Sequence, residues 1–486
     1  MEIFFILLIP LLLMACALAA KKIEELGYAC ALGYLAVFLL SLSLAATFLS
    51  SGAPISYFNF FYADALSVLF VLLISLVSFC AAVYSIGYIA CDLQKGVITF
   101  RKARVYYLLF NAFCLSMLAV PLLNNMGMLW AAVELTTLVS TFLVGFYTTK
   151  HSVEAAWKYI IICSVGIILA LLGTILFVYA VFFSSGLKSL NWTDMMACTG
   201  SLDKNILQIA FIFILVGYGT KAGLAPMHTW LPDAHSQAVS PVSALLSGVL
   251  IKTALYALLR YCMIVNKGMG TNHAGNYLIF FGLLSMAVAG VLILVQKDLK
   301  RFLAYSSVEH IGVICVGLGL GSAIALYGAL LHVFNHAITK SLMFLGAGSI
   351  IKRYDKHNIN AIRGVIAVMP FTGVLFFLGM FALAGFPPFS IFISEALIVI
   401  SAFLAKAYWP AGLALFFIAL IFAAMILRFP GMLFGQRPPD QEKTPEPLST
   451  KLSLGFLLAL ACLMGFWVPG PFGRLLDQAV GLLRGV

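Results

Sequence analysis

Charge is what this chain has least of. Only 10% of its 486 residues are Asp, Glu, Lys or Arg, against about 25% in a soluble domain, which excludes an ordinary water-covered enzyme. A soluble chain of this length would divide into about three domains with polar surfaces. A 63% hydrophobic composition with mean hydropathy +1.07 leaves too little polar surface for one. The ten cysteines include no CxxC pair and no Cys/His ligand spacing, and most lie in apolar runs, so they read as small buried hydrophobes. No iron-sulfur, haem or zinc site follows from them, and no Gly-rich phosphate loop follows a strand pattern. No metal and no cofactor is expected in this chain; redox chemistry would have its centres in another subunit.

What is present is a succession of long apolar runs. Met1 to Ala20 resembles a signal peptide, but its leading charge is Glu2, and Lys21 and Lys22 come after the apolar stretch. That is the wrong charge order for a cleaved leader, so the first span is expected to be retained. A membrane-crossing helix needs about 20 mostly apolar residues. On that measure spans are expected near 3–20, 27–50, 63–91, 105–122, 126–147, 155–183, 205–225, 240–262, 276–295, 300–320, 322–350, 364–386, 409–433 and 451–469. The fold class is therefore all-α and polytopic, with about fourteen transmembrane helices. Of the 29 Lys and Arg, 19 lie in or beside the connections after odd-numbered spans, and only 7 lie beside even ones or in the C-terminal tail. Positive charge marks the cytoplasmic side, which puts both termini on the outer face of a prokaryotic inner membrane. It also accounts for most of the +11 formal charge without nucleic acid as a partner.

Two segments, Met227 to Gln237 and Phe389 to Ala405, follow spans that end at Gly and Pro and look too short to cross again. Gly223, Pro226, Asp233 and Ala234 recur 162 positions later as Gly385, Pro388, Glu395 and Ala396, with Pro387 beside the second break. Val133-Glu134 is echoed by Val308-Glu309. Five spans separate each pair, and an odd repeat length turns the second copy upside down. This predicts inverted repeats with broken helices, as transporters use around a midplane ion site; chance matching of short Gly/Pro segments is the alternative.

An ionisable group at mid-bilayer costs about 2.5 to 3.5 kcal/mol, so each is interfacial, paired or part of an ion route. Glu134, Lys221, Lys252, Glu309, Lys340 and Glu395 are placed deep. His332, His336 and Lys340 recur at i, i+4 and i+8 on one helical stripe, with about 6 Å between neighbours, room for one bridging water. Packing histidines with a snorkelling lysine is the bland reading, and a zinc pair at His332 and His336 finds no third ligand in its own run. Glu134 and Lys221 read either as a static ion pair or as a lysine switched between holding and releasing a proton by its carboxylate. Glu309 with His310 is either a second proton-holding pair or a packing cap near Asn335. Asp64, Glu154, Lys158, Arg260 and Asp233 lie near span ends, where snorkelling suffices, and His228 reads as a hydrogen-bonded helix-end residue.

The run Lys221-Ala-Gly-Leu-Ala-Pro-Met-His-Thr-Trp-Leu-Pro-Asp-Ala-His235, then Pro241 to Lys252, Ala304 to His310 and His332 to Lys340 strongly resembles the antiporter-like membrane subunits shared by respiratory complex I, Mrp-type antiporters and group 4 membrane-bound hydrogenases. Ser307-Val-Glu-His310 and Gly385-Phe-Pro-Pro-Phe389 look most like the component F branch of hydrogenase 4 and formate hydrogenlyase-type complexes. The resemblance implies N-terminal helices in 1–104, a first inverted repeat in 105–262, a second in 276–433, and helix 14 with a short tail in 451–486. It implies a proton path in which Glu134 modulates Lys221, protons pass by Lys252, His332 and His336 to Lys340, and Glu395 is the outer terminal site. Partners would be other antiporter-like and small membrane subunits, peripheral iron-sulfur hydrogenase or dehydrogenase subunits, and the lipid bilayer. Protons are the expected cargo, with sodium, as in an Mrp antiporter, the alternative. The long lateral helix of some relatives has no counterpart in the roughly 16 residues after the last span.

Overall fold

Polar side chains set where the spans begin. In the computed structural model, which describes residues 1–439, 441–443 and 445–485, Asp64, Thr99, Asn125, Thr149, Asp203, Asp298 and Ser322 each accept a hydrogen bond from the first turn of the helix they precede. Such caps satisfy amide donors that a helix end cannot pair internally.

The chain opens with α1 (Glu2–Ala19) and α2 (Ile23–Ser51), then a small antiparallel hairpin of β1 (Ile55–Tyr57) and β2 (Phe61–Ala63). Next come α3 (Ala65–Gln94), α4 (Phe100–Ala119), α5 (Met126–Val144), α6 (Lys150–Ser185), the short α7 (Trp192–Ala197) and α8 (Lys204–Ala222). A break leads to α9 (Trp230–Gln237) and α10 (Ser240–Leu245), which runs through a π-helical turn at Leu246–Leu250 into α11 (Ile251–Met269). Then follow α12 (His273–Val295), α13 (Leu299–Leu320), α14 (Ala323–Tyr354), α15 (Val365–Val368) and α16 (Pro370–Leu383). A second break precedes α17 (Ser390–Leu404), α18 (Tyr408–Phe434), α19 (Leu448–Phe466) and α20 (Gly470–Arg484).

The protein is an all-helical multi-pass membrane chain. Among the described residues twelve helices are long and apolar enough to cross a bilayer. Two of the fourteen expected spans fall outside that set for opposite reasons. The 32-residue α14 has the length, but its row of His332, Asn335, His336 and Lys340 lowers its hydropathy. The expected span 364–386 is interrupted at Met369–Pro370, leaving the 14-residue α16, shorter than the roughly 20 residues of a full crossing.

Burial sorts the helices into layers. Residues 240–265 are buried throughout and α13 almost so, whereas α1, α6, α12 and α18 leave most of their surface bare. Small residues let neighbouring helices approach closely. At the crossing of α12 and α13, a Cβ on Gly312 would lie 2.5 Å from the Gly282 carbonyl oxygen. Cys30, Cys80, Cys114, Cys163, Cys262 and Cys315 are buried side chains, as the apolar runs suggested. Besides the short α7, two features among the described residues have no counterpart in the sequence reading. One is the hairpin at 55–63. The other is α20, which turns the tail back so that Leu475, Leu476, Ala479 and Val480 are buried against α2, α3 and α14.

Candidate functional site

Both helix breaks are made the same way. The α8 helix ends at Gly223 with φ of 84°, and the α16 segment reaches Gly385 with φ of 66°, a left-handed backbone that glycine adopts freely. Pro226 and Pro388 follow, each after a cis peptide bond. Phe386 and Pro387 lie between Gly385 and Pro388, and Glu395 sits in the second turn of α17, packed back against Gly385.

The ionisable residues placed deep by sequence fall into three groups. In the first, the fully buried Lys221 donates to the Thr137 hydroxyl. Thr137 in turn donates to Glu134 Oε2 at 3.3 Å, and Ser164 donates to Glu134 Oε1 at 2.8 Å. Glu134 and Lys221 are therefore not a direct ion pair; a hydroxyl stands between them.

The second group gathers around α14, whose i, i+4, i+8 row is buried throughout. Lys252 donates to the Ser247 carbonyl at 2.5 Å and lies 2.6 Å from His336 Nδ1. The π-helical turn just before Lys252 is the kind of local widening found at functional sites. His310, from α13, stands between the two α14 histidines, its ring centre 5.2 Å from that of His332 and 4.8 Å from that of His336. The rings of His332 and His336 are 6.2 Å apart, as their helical spacing predicts. His310 Nδ1 is 3.1 Å from His332 Nε2, and His332 Nδ1 is 2.9 Å from Ser394 Oγ on α17. Two carboxylates flank this string: Glu309 Oε2 is 3.4 Å from His310 Nε2, and Glu395 Oε1 is 3.8 Å from His310 Nδ1.

Lys340 forms the third group. It donates to the Leu303 carbonyl at 2.6 Å and to the Ser306 hydroxyl, both on α13. The order implied by resemblance, Lys252 to His332 to His336 to Lys340, differs from the contacts. Lys252 meets His336, His310 meets His332, and Lys340 turns to a neighbouring helix. Among the described residues no hydrogen bond joins Lys221 to Lys252.

Ligand atoms of His310, His332 and Glu395 lie within 4.8 Å of one another. Of the two α14 histidines only His332 belongs to this group; His310 comes from α13 and Glu395 from α17, so no spacing within α14 could show it. The imidazole nitrogens already face each other at hydrogen-bond distance, so the arrangement suits proton exchange as it stands. Glu309 Oε2, His310 Nε2, His336 Nε2 and Asn335 Oδ1 are buried without a hydrogen-bond partner among the described residues, the condition under which interior water is held.

One group departs from its expected place. Asp64 and Arg260 do not snorkel: their side chains are 4% and 3% exposed and paired through two contacts of 2.6 and 2.8 Å. Arg260 also donates to Ser67 and Tyr256 and stacks 4.4 Å above the Trp192 ring. The pair spans 196 positions and closes α11 onto the start of α3, which no local pattern foretells. Glu154, Lys158 and Asp233 do lie at a surface, where Lys158 meets Glu154 at 2.7 Å and Asp233 at 3.4 Å. His228 is buried against Tyr305, and its Nδ1 has no partner among the described residues. His235 was missed. It is fully buried, stacked 5.0 Å from Phe344, with both ring nitrogens unpartnered among the described residues.

Residues 123–423 match the family described as NADH:quinone oxidoreductase/Mrp antiporter, transmembrane region, and 57–96 match the N-terminal region of complex I chain 5. The chain is 38% identical over 416 residues to a hydrogenase-4 component F homolog of Methylacidiphilum infernorum, covering 85% of this chain and 86% of that one. It is 31% identical over 430 residues to hydrogenase-4 component B of Escherichia coli, covering 82% and 61% respectively. In fold it is similar to a chain of the membrane-bound sulfane sulfur reductase, an archaeal respiratory membrane complex, with a TM-score of 0.88 and 24% identity over 99% of this chain and 96% of that one.

Proposed function

This chain belongs to the NADH:quinone oxidoreductase/Mrp antiporter family of membrane subunits, and on that premise we propose that it translocates protons as the non-redox membrane subunit of a multi-subunit oxidoreductase of the hydrogenase-4 or complex I type. It sits in a prokaryotic inner membrane with both termini outward. Electron transfer, with its iron-sulfur and other cofactors, takes place in peripheral hydrogenase or dehydrogenase subunits; none is held here. Residues 105–262 and 276–433 are two inverted five-helix repeats, flanked by 1–104 and 451–486. The matching breaks at Gly223 and Gly385, each followed by a helix bearing an acid, Asp233 or Glu395, support that arrangement.

The observation that carries the proposal is the string Glu309, His310, His332, Ser394, which has two hydrogen-bond polarities. In one, the Ser394 hydroxyl donates to the Ile391 carbonyl, 2.8 Å away. His332 Nδ1–H then donates to Ser394, His310 Nδ1–H donates to His332 Nε2, and protonated Glu309 faces the bare His310 Nε2. In the other, Ser394 donates to His332 Nδ1, His332 Nε2–H donates to His310 Nδ1, and His310 Nε2–H faces the Glu309 carboxylate. The first holds one more proton than the second. Going from the first to the second, Glu309 gives its proton to His310 Nε2, His310 Nδ1 gives one to His332 Nε2, His332 Nδ1 gives one to Ser394, and the Ser394 hydroxyl proton leaves to water. Return to the first resets each histidine from its Nε2–H to its Nδ1–H form through water and takes a new proton in at Glu309, so a full cycle moves one proton from the Glu309 end to the Ser394 end. Lys252, bonded to His336, supplies the string from the first half of the molecule. Thr137 lets the Lys221 ammonium sense Glu134 without a fixed pair. Glu395 receives protons on the outer side.

Composition of the purified complex tests which oxidoreductase this is: nickel places it with hydrogenases, flavin with complex I. Uptake of labelled sodium driven by a pH step in vesicles, without an electron donor, would instead support an Mrp-type antiporter.

A further inference from the structure

Away from the ion path, a groove of about 690 Å3 opens on the membrane-facing side between α4, α5 and α6. Its walls are apolar, among them Val105, Leu109, Phe142, Val153, Trp157 and Ile160. Phe142 and Trp157 are about two-thirds exposed. Its mouth carries Arg101 and Lys102, and no acidic residue lines it. Lys102 donates to the Thr148 hydroxyl at 3.1 Å and lies 5.5 Å from the centre of the Phe146 ring, which fixes its ammonium at the rim. Arg101 is exposed and has no hydrogen-bond partner among the described residues, so its guanidinium donors are available to a ligand.

We propose that this groove is a binding site for an acidic phospholipid of the inner leaflet, its headgroup phosphate held by Arg101 and Lys102 and an acyl chain laid between Phe142 and Trp157. The argument is one of matched chemistry. The two cations stand at the Lys/Arg-rich end of the spans, the depth at which cytoplasmic-leaflet phosphates lie. Below them the surface is apolar for the length of several side chains. An exposed tryptophan at that level is the usual neighbour of a headgroup region. Arg offers planar paired donors to phosphate oxygens and Lys a point charge. A neutral-headed lipid would fill the apolar slot but leave the cation pair without an anion.

The test uses the intact membrane complex that holds the chain, placed in nanodiscs of phosphatidylcholine doped with a photoactivatable phosphatidylglycerol or, separately, a photoactivatable phosphatidylcholine. Label is mapped on the peptide 142–160. A surface cation is expected to change anionic-lipid occupancy about fivefold, and the pair on the order of 25-fold. The glycerol lipid should therefore label that peptide on the order of 25 times more than the choline lipid. The ratio should fall to near one in R101Q/K102Q and stay at the wild-type value in K188Q, a cation from the opposite membrane face. If the double variant fails to assemble, R101Q alone should lower the ratio about fivefold. Equal labelling by the two lipids in the wild type would overturn the proposal. So would the absence of label from both, which would mean that a neighbouring subunit covers the groove.

Discussion

Lys252 and His336 are bonded to each other, Nζ to Nδ1 at 2.6 Å, and this contact joins the π-distorted helix of the first half to the polar row of the second. A lysine with no acid in contact can give its proton only to a neutral acceptor, and here the acceptor is an imidazole. Replacing Lys252 with Met, which keeps the length of the side chain, should lower coupled proton transport on the order of 100-fold, the usual contribution of a positioned proton donor. Dye-quench measurements on proteoliposomes of the intact complex check this, and His336→Gln should show a comparable loss.

Thr137 is the hinge of the Lys221 and Glu134 group. Thr137→Val keeps the shape and removes the hydroxyl, leaving a buried ammonium one hydrogen bond short, at about 1 to 3 kcal/mol. Transport should fall roughly tenfold for every 1.4 kcal/mol of this that is lost from the transfer step, whereas Thr137→Ser should stay near wild type. A Val variant with unchanged transport would show that Lys221 and Glu134 act without the hydroxyl.

The Asp64 and Arg260 pair predicts a change in stability. Arg260→Leu strands a buried carboxylate and should cost about 3 to 5 kcal/mol, while the double variant Asp64→Leu/Arg260→Leu should recover most of it. Thermal unfolding in mild detergent measures both. Transport per folded molecule should be nearly normal in the double variant, since neither residue contacts the histidine string.

Glu309→Gln tests the relay's polarity. Glutamine can face His310 Nε2 but cannot deliver a proton, so the string should be held in one polarity and transport lost. Ser394→Ala should be milder, because water can take the place of a hydroxyl next to His332. If Glu309→Gln were silent while Glu395→Gln abolished transport, protons would enter His310 from α17.

The parts legible in the sequence were those governed by local geometry. Helical pitch put His332, His336 and Lys340 on one stripe, and the Gly-Pro breaks were visible because Gly223 and Gly385 serve a backbone that other residues resist. The apolar runs placed the long helices, α14 among them although its site residues make it more polar than the rest, and the departure is the span expected at 364–386, which is interrupted at Pro370 and leaves the short α16. What could not be read depends on which helices meet. His310 becomes the middle of the histidine string only because α13 packs on α14, and Asp64 finds Arg260 across 196 positions. The hydroxyls of Thr137 and Ser394 carried no signal, since Ser and Thr in spans commonly bond their own helix.

The most direct test of the central claim is proton pumping by a fully assembled complex carrying Lys221→Ala, measured together with the partner subunits' electron transfer. Pumping coupled to electron transfer should be abolished while all subunits remain in the purified complex. Full pumping at wild-type stoichiometry in that assembled complex would contradict a proton path through this chain.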